Sequence, residues 1–133
     1  MGAWDIGSFD NDAALDWVYE LEKATDFSIL ADAFETVIDQ KGSSPDAADC
    51  SIALCAAEVV AGLLDTPASD LPDEVLEWVE DKPEPSATLI KIALKALNVI
   101  LEDSELKELW LETDEYQDWF DNVTILIENL TEE

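Results

Sequence analysis

The stretch that decides the fold is SSPDAADCSIALCAAEVVAGLLD, residues 43–65. It begins as a helix begins: Ser44 is placed to cap, Pro45 suits the first turn, and Asp46 and Asp49 lie against the positive end of the dipole. From Ile52 to Leu64 the segment is apolar on nearly every side, and Glu58 is its one charge. A helix that is apolar all round can satisfy that surface only if other helices enclose it. The stretch therefore predicts the middle helix of a bundle.

Working outward, each neighbouring segment carries a one-sided apolar stripe of helical period. Ala14, Trp17, Val18 and Leu21 define a helix over 11–23, with Asp12, Asp16 and Glu20 on the opposite face. Ile29, Ala33, Phe34, Val37 and Ile38 define a second over 26–40, with Thr25 as N-cap and Gly42 as a left-handed stop. Beyond the central helix, Pro67, Pro72, Pro83 and Pro85 mark a connector over 65–86 that contains one short helix, 72–81. It separates an N-terminal half, 1–64, from a C-terminal half, 87–133. ATLIKIALKALNVILED (87–103) is amphipathic, its polar stripe marked by Thr88, Lys91, Lys95, Asn98 and Glu102. Two helices follow. One, 104–112, turns Leu106, Leu109 and Trp110 inward, and the other, 114–130, has Tyr116, Trp119, Phe120, Val123, Leu126, Ile127 and Leu130 as its apolar set. No run alternates with period 2. The expected fold is all-α, a single 1–133 domain built as a compact bundle of six to seven helices.

Charge separates this chain from an ordinary globular protein. It carries 33 acids against 6 lysines, with no arginine and no histidine, for a net charge of -27 over 133 residues. Nucleic-acid binding needs cationic side chains to neutralise phosphates, and anionic membranes need the same, so neither partner is expected. Attraction to a basic protein is the favoured consequence. Adaptation to a salty solvent, or simple solubility, is the alternative reading of the same acidity.

The opening segment MGAWDIGSFDNDAALDWVYELE (1–22) combines Trp4, Gly7, Phe9, Asn11, Asp12, Asp16 and Trp17 in a distinctive spacing. Together with ALCAAEVVAGLL (53–64), LPDEVLEWVED (71–81) and DSELKELWLETDEYQDWFDNV (103–123), it resembles the domain-of-unknown-function family 4259. That family typically opens Met-Gly-x-Trp-Gly-x-Gly-x-Phe-x-Asn-Asp-x-x-x-Asp-Trp, and Asp5 stands where glycine is usual. The resemblance covers nearly the whole chain and supports the helical fold. It implies no activity, substrate or catalytic residue.

Tested against known site patterns, the acidic opening fails as a calcium loop. Counted from Asp10, the positions that should hold an acidic or amide side chain, a glycine and a bidentate glutamate are Ala14, Leu15 and Leu21. Asn11 and Asp12 suit a helix start instead, and Asp16 a solvated face. No metal site and no cofactor are expected. Without histidine there is no His-based triad or proton shuttle, and without arginine no bidentate anion clamp. Lys91 and Lys95, one turn apart, could lower each other's pKa, but as members of a polar stripe they read as solvated charges. An enzyme is not expected; a carboxylate-based enzyme or metal-dependent protein ranks third.

Cys50 and Cys55 lie five residues apart on one helix, about 140° around its axis, a geometry that does not bridge. They are expected to be reduced, buried core residues. A cytoplasmic location is expected, since no basic, apolar leader pattern and no membrane-length apolar run is visible.

The function expected from these residues is a non-catalytic, cytoplasmic binding protein of the inhibitor or immunity type, covering a basic partner with an acidic surface. The alternative is a structural helical module, with homo-oligomerisation as a further option. Two segments pair clustered carboxylates with tryptophan and are the candidate partner surface: Asp73, Glu74, Glu77, Trp78 and Asp81 in one, and Glu112, Asp114, Glu115 and Asp118 in the other. The opening motif of Trp4, Phe9, Asn11, Asp12, Asp16 and Trp17 is either a clasp onto the chain's own core or a docking element.

Overall fold

The computed structural model describes residues 12–24, 27–40, 45–64, 73–80, 82, 85–102 and 104–131, with the backbone alone for 12–15, 73, 74 and 76. Among them are seven helices and no strand: α1 (Asp12–Lys23), α2 (Ser28–Asp39), α3 (Ala47–Leu63), α4 (Asp73–Glu80), α5 (Ala87–Glu102), α6 (Glu105–Leu111) and α7 (Tyr116–Thr131). The all-α bundle inferred from the sequence is the fold of the chain.

α3 is the axis of the molecule. Every residue from Ala53 to Leu63 is buried, and α3 packs against all six other helices. Its sequence explains how. Ala53, Ala56, Ala57 and Ala61 are fully buried, and such small side chains let flanking helices approach from several directions while Leu54, Val59 and Val60 fill the space between. The most extensive pairing is α2 against α5, which joins the segments on either side of the proline-containing connector. One continuous core runs from Trp17 on α1 to Leu130 on α7.

The stripes fall where the period places them, with four adjustments. Trp17, Val18 and Leu21 of α1 are buried, while Asp16 and Glu20 are exposed. On α2, Leu30 is fully buried and Ile29 only half-buried, which turns the inward face slightly from the expected one. α2 also starts later than residue 26. Phe27 holds the N-cap position without a side-chain cap bond, and its carbonyl accepts the Ala31 N–H (3.1 Å). Gln40 closes α2 with φ -95, a right-handed ending. Thr25, Asp26 and Gly42 lie outside the described residues.

α3 begins at Ala47 with Asp46 as its cap; the expected cap Ser44 lies outside the described residues, and Pro45 precedes the helix. Asp46 is extended (φ -58, ψ 140) and its carboxylate accepts the Ala48 N–H at 3.0 Å. Pro45, outside the helix, turns its carbonyl to α6 instead, where it accepts the Glu105 N–H (2.9 Å). Leu109 of α6 is 41% exposed, because Leu106 and Trp110 alone complete the contact with the core. On α5 the polar stripe of Thr88, Lys91, Lys95, Asn98 and Glu102 is exposed as its spacing requires.

Candidate functional site

The first candidate surface segment is α4, which packs on α1 and α3. Glu77 is exposed, but Trp78 is 7% exposed and faces inward. Its indole Nε1–H donates to the Ala24 carbonyl (3.1 Å), just past the end of α1. Its ring meets Phe27, centroids 6.1 Å apart, and the Lys82 ammonium lies 4.5 Å from the ring centroid. Trp78 therefore ties α4 to the α1–α2 connection, with its ring buried against the chain itself. Asp81 and the side chains of Asp73 and Glu74 lie outside the described residues.

The second segment, at the α6–α7 junction, is built the same way. Glu112, Asp114, Glu115 and Asp118 are all exposed. Beneath them Trp110 and Trp119 stack, with centroids 6.3 Å apart and planes 11° from parallel, and each is 2% exposed. Tyr116 joins this layer against Trp119 and Phe120. Thr113 shapes the turn: its hydroxyl donates to the Trp110 carbonyl (2.8 Å) and accepts the Glu115 N–H (3.1 Å). α6 and α7 pack on α3, α5 and each other, so the two candidate segments share α3 as a support, with α1 as the further neighbour of α4 and α5 that of α6 and α7. Of the opening motif, Trp17 is in the core and Asp16 is exposed. The backbone of Asp12 starts α1, whereas Trp4, Phe9 and Asn11 lie outside the described residues.

A polar node that sequence spacing did not reveal holds the ends of three helices together. The Ala47 N–H at the start of α3 donates to the Glu105 carboxylate (3.0 Å), while the Glu105 N–H donates to the Pro45 carbonyl (2.9 Å). Gln40, at the end of α2, accepts the Asp46 N–H (3.1 Å) through Oε1 and donates from Nε2 to Asp49 (2.8 Å). Ser104 is fully buried; its hydroxyl donates to the Ile100 carbonyl (2.8 Å) and accepts the Lys107 N–H (3.0 Å), capping α6. Two orphan N–H groups at helix starts are thus satisfied by residues distant in sequence. The pairing of Glu105 with residues 45–47 was legible in neither segment alone.

Cys50 borders this node, with its thiol 3.7 Å from the Pro45 carbonyl. Burial pushes the thiol pKa up from 9.0 to about 12; the nearby Asp49 and Asp46 carboxylates add to the rise and the Ser104 hydroxyl opposes it. Cys50 and Cys55 are both buried thiols outside any disulfide, as the five-residue spacing predicts. A protonated, enclosed thiol is a packing residue and not a nucleophile.

Hollows indent the surface of the described residues. One, about 290 Å³, lies among α1, α2 and α3, with Trp17, Ile29, Ala33 and Ile52 among its lining residues. Another, about 240 Å³, lies between α2 and α5 and is lined by Phe27, Ala31, Leu89 and Ile92 with the hydroxyls of Ser28, Ser86 and Thr88. The Ser86 hydroxyl is already engaged, accepting the Leu89 N–H at the start of α5 (3.1 Å). Among the described residues no three His, Cys, Asp or Glu side chains gather to hold a metal ion, and no helix is long and apolar enough to cross a membrane.

Comparison with known proteins adds the family. The model of the domain of unknown function DUF4259 matches residues 2–122. No curated protein and no solved structure matches the chain. The match runs through six of the helices and into α7, together with the opening motif and the buried tryptophans just described, and the chain belongs to the DUF4259 family.

Proposed function

We propose that this chain is a non-catalytic binding protein whose acidic helical surface covers a basic protein partner in the cytoplasm, in the manner of an inhibitor or immunity protein. The observation that carries the reading is charge left without internal compensation. The chain bears 33 acids and 6 lysines, so most acids have no lysine to pair with, and the Glu20–Lys23 pair, at 4.0 Å, has both side chains exposed. Exposed pairs of this kind contribute little to folding. The negative field is therefore available to an outside cation, steering association over about a Debye length. Exposed Glu112, Asp114, Glu115 and Asp118 at the α6–α7 turn, with Glu77 on α4, are the first residues to probe.

A pull-down with the tagged full chain tests this reading. It should recover a basic protein at low salt, and the yield should collapse as salt is raised. Recovery of nothing specific at low salt contradicts it. The second reading, a helical module whose acidity serves solvation, draws on the same uncompensated charge. It predicts no basic partner and stability that rises with salt.

A further inference from the structure

We propose that the hollow among α1, α2 and α3 is the anchor of that interface, taking one arginine or lysine side chain of the basic partner; this rests on the binding reading above. Four of its lining residues are apolar, Trp17 from α1, Ile29 and Ala33 from α2 and Ile52 from α3, and Thr36 of α2 is polar but neutral. Three carboxylates, one per helix, line the same space: Glu20, Asp32 and Asp49. No lysine is among the described lining residues, but Lys23 on α1 lies 4.0 Å from Glu20 in an exposed pair that an incoming cation has to displace.

The chemistry of this lining selects the occupant. A bare cation gains nothing from an apolar floor, and a neutral apolar group gains nothing from three carboxylates. A long cationic side chain uses both, laying its alkyl stem on the floor and its charged head against the acids. Glu20 and Asp32 are exposed and Asp49 is half-buried, so the head group is desolvated on one side only. Asp49 is held by Gln40 (2.8 Å), which fixes the carboxylate while leaving it capacity to accept further hydrogen bonds. The volume, about 290 Å³, exceeds that of a single arginine or lysine side chain and leaves room for adjoining backbone. A second copy of this chain is a poor occupant, since each copy carries -27. Trp17 and Ala33 are themselves 7% exposed, so the apolar surface this hollow offers is mainly that of half-buried Ile29 and Ile52, set beside the three carboxylates.

The test is methyl and indole NMR of the full chain, titrated at low salt with a short peptide alternating arginine and glycine. A matched peptide with citrulline in place of arginine supplies the neutral control. The expected result is saturable shifts at Ile29, Ala33, Ile52 and the Trp17 indole with the arginine peptide, absent with citrulline. The pair Glu20→Gln with Asp32→Asn should weaken binding about fivefold or more. Removing two charges elsewhere, Glu102→Gln with Glu128→Gln, should change it less than about twofold.

Three results overturn the proposal. Binding with shifts spread over all acidic helices, equally affected by both double variants, removes the anchor while leaving the acidic-surface reading intact. Nuclear Overhauser contacts from Trp4 or Phe9 to Ile29 or Ile52 show the chain's own opening segment in the hollow. No binding at low salt removes the anchor, and a pull-down that still yields a basic partner would show that the broader reading survives.

Discussion

Ser104 spends one hydroxyl on two hydrogen bonds while fully buried, closing α5 through the Ile100 carbonyl and opening α6 through the Lys107 N–H. Ser104→Ala strands both groups, and chemical denaturation should show a loss of about 1–2 kcal/mol. Cys50 gives a pH signature. Its thiol holds its proton up to about 12 in the folded chain but titrates near 9.0 when exposed. The unfolded state therefore loses that proton first as pH rises. The contribution is fully present below pH 9.0 and declines toward pH 12, by roughly 1.4 kcal/mol per pH unit. Cys50→Ala should flatten that slope relative to the parent chain when unfolding free energy is followed from neutral to alkaline pH. At Trp78, substitution by phenylalanine keeps the ring contact with Phe27 but removes the bond to Ala24. A loss of about 1 kcal/mol in the same denaturation assay is expected.

Among elements, α3 carries the fold. Ala57 sits fully buried on this central helix, so Ala57→Leu should destabilise by about 1–3 kcal/mol through overpacking, measured by thermal unfolding. The apolar run from Ile52 to Leu64 made this central role legible, because a helix with no polar face has only one place in a bundle. The flanking stripes were legible for the same reason, since a 3.6-residue period maps directly onto one buried face. Local signals failed where a distant partner intervened. Ser44 and Pro45 read as a helix start, but Asp46 caps α3 and the Pro45 carbonyl serves the Glu105 N–H of α6, a pairing no local pattern encodes. Leu109 matched the α6 stripe, yet a short helix at the edge had no neighbour left to cover it. The candidate surfaces show the same limit. Glu77, Glu112, Asp114, Glu115 and Asp118 were legible as exposed, but which contacts bury Trp78, with Ala24 and Phe27 beside it, depends on segments distant in sequence.

For the whole molecule, electrostatics dominates. A net charge of -27 on a 133-residue chain is self-repulsive, and screening it favours the compact state. The melting temperature should therefore rise between about 20 mM and about 500 mM NaCl. The same screening acts in the opposite direction on association, because it removes the attraction between the acidic surface and a cationic partner. Salt thus separates the two roles proposed for the charge: it should stabilise the fold and weaken the proposed complex. The most direct measurement is the dissociation constant of the full chain with its recovered basic partner, taken across a salt series. The account predicts a steep, steady loss of affinity as salt rises, while the fold itself becomes more stable. An affinity that stays flat across the series would contradict it, since the acidic surface would then not be what holds the partner.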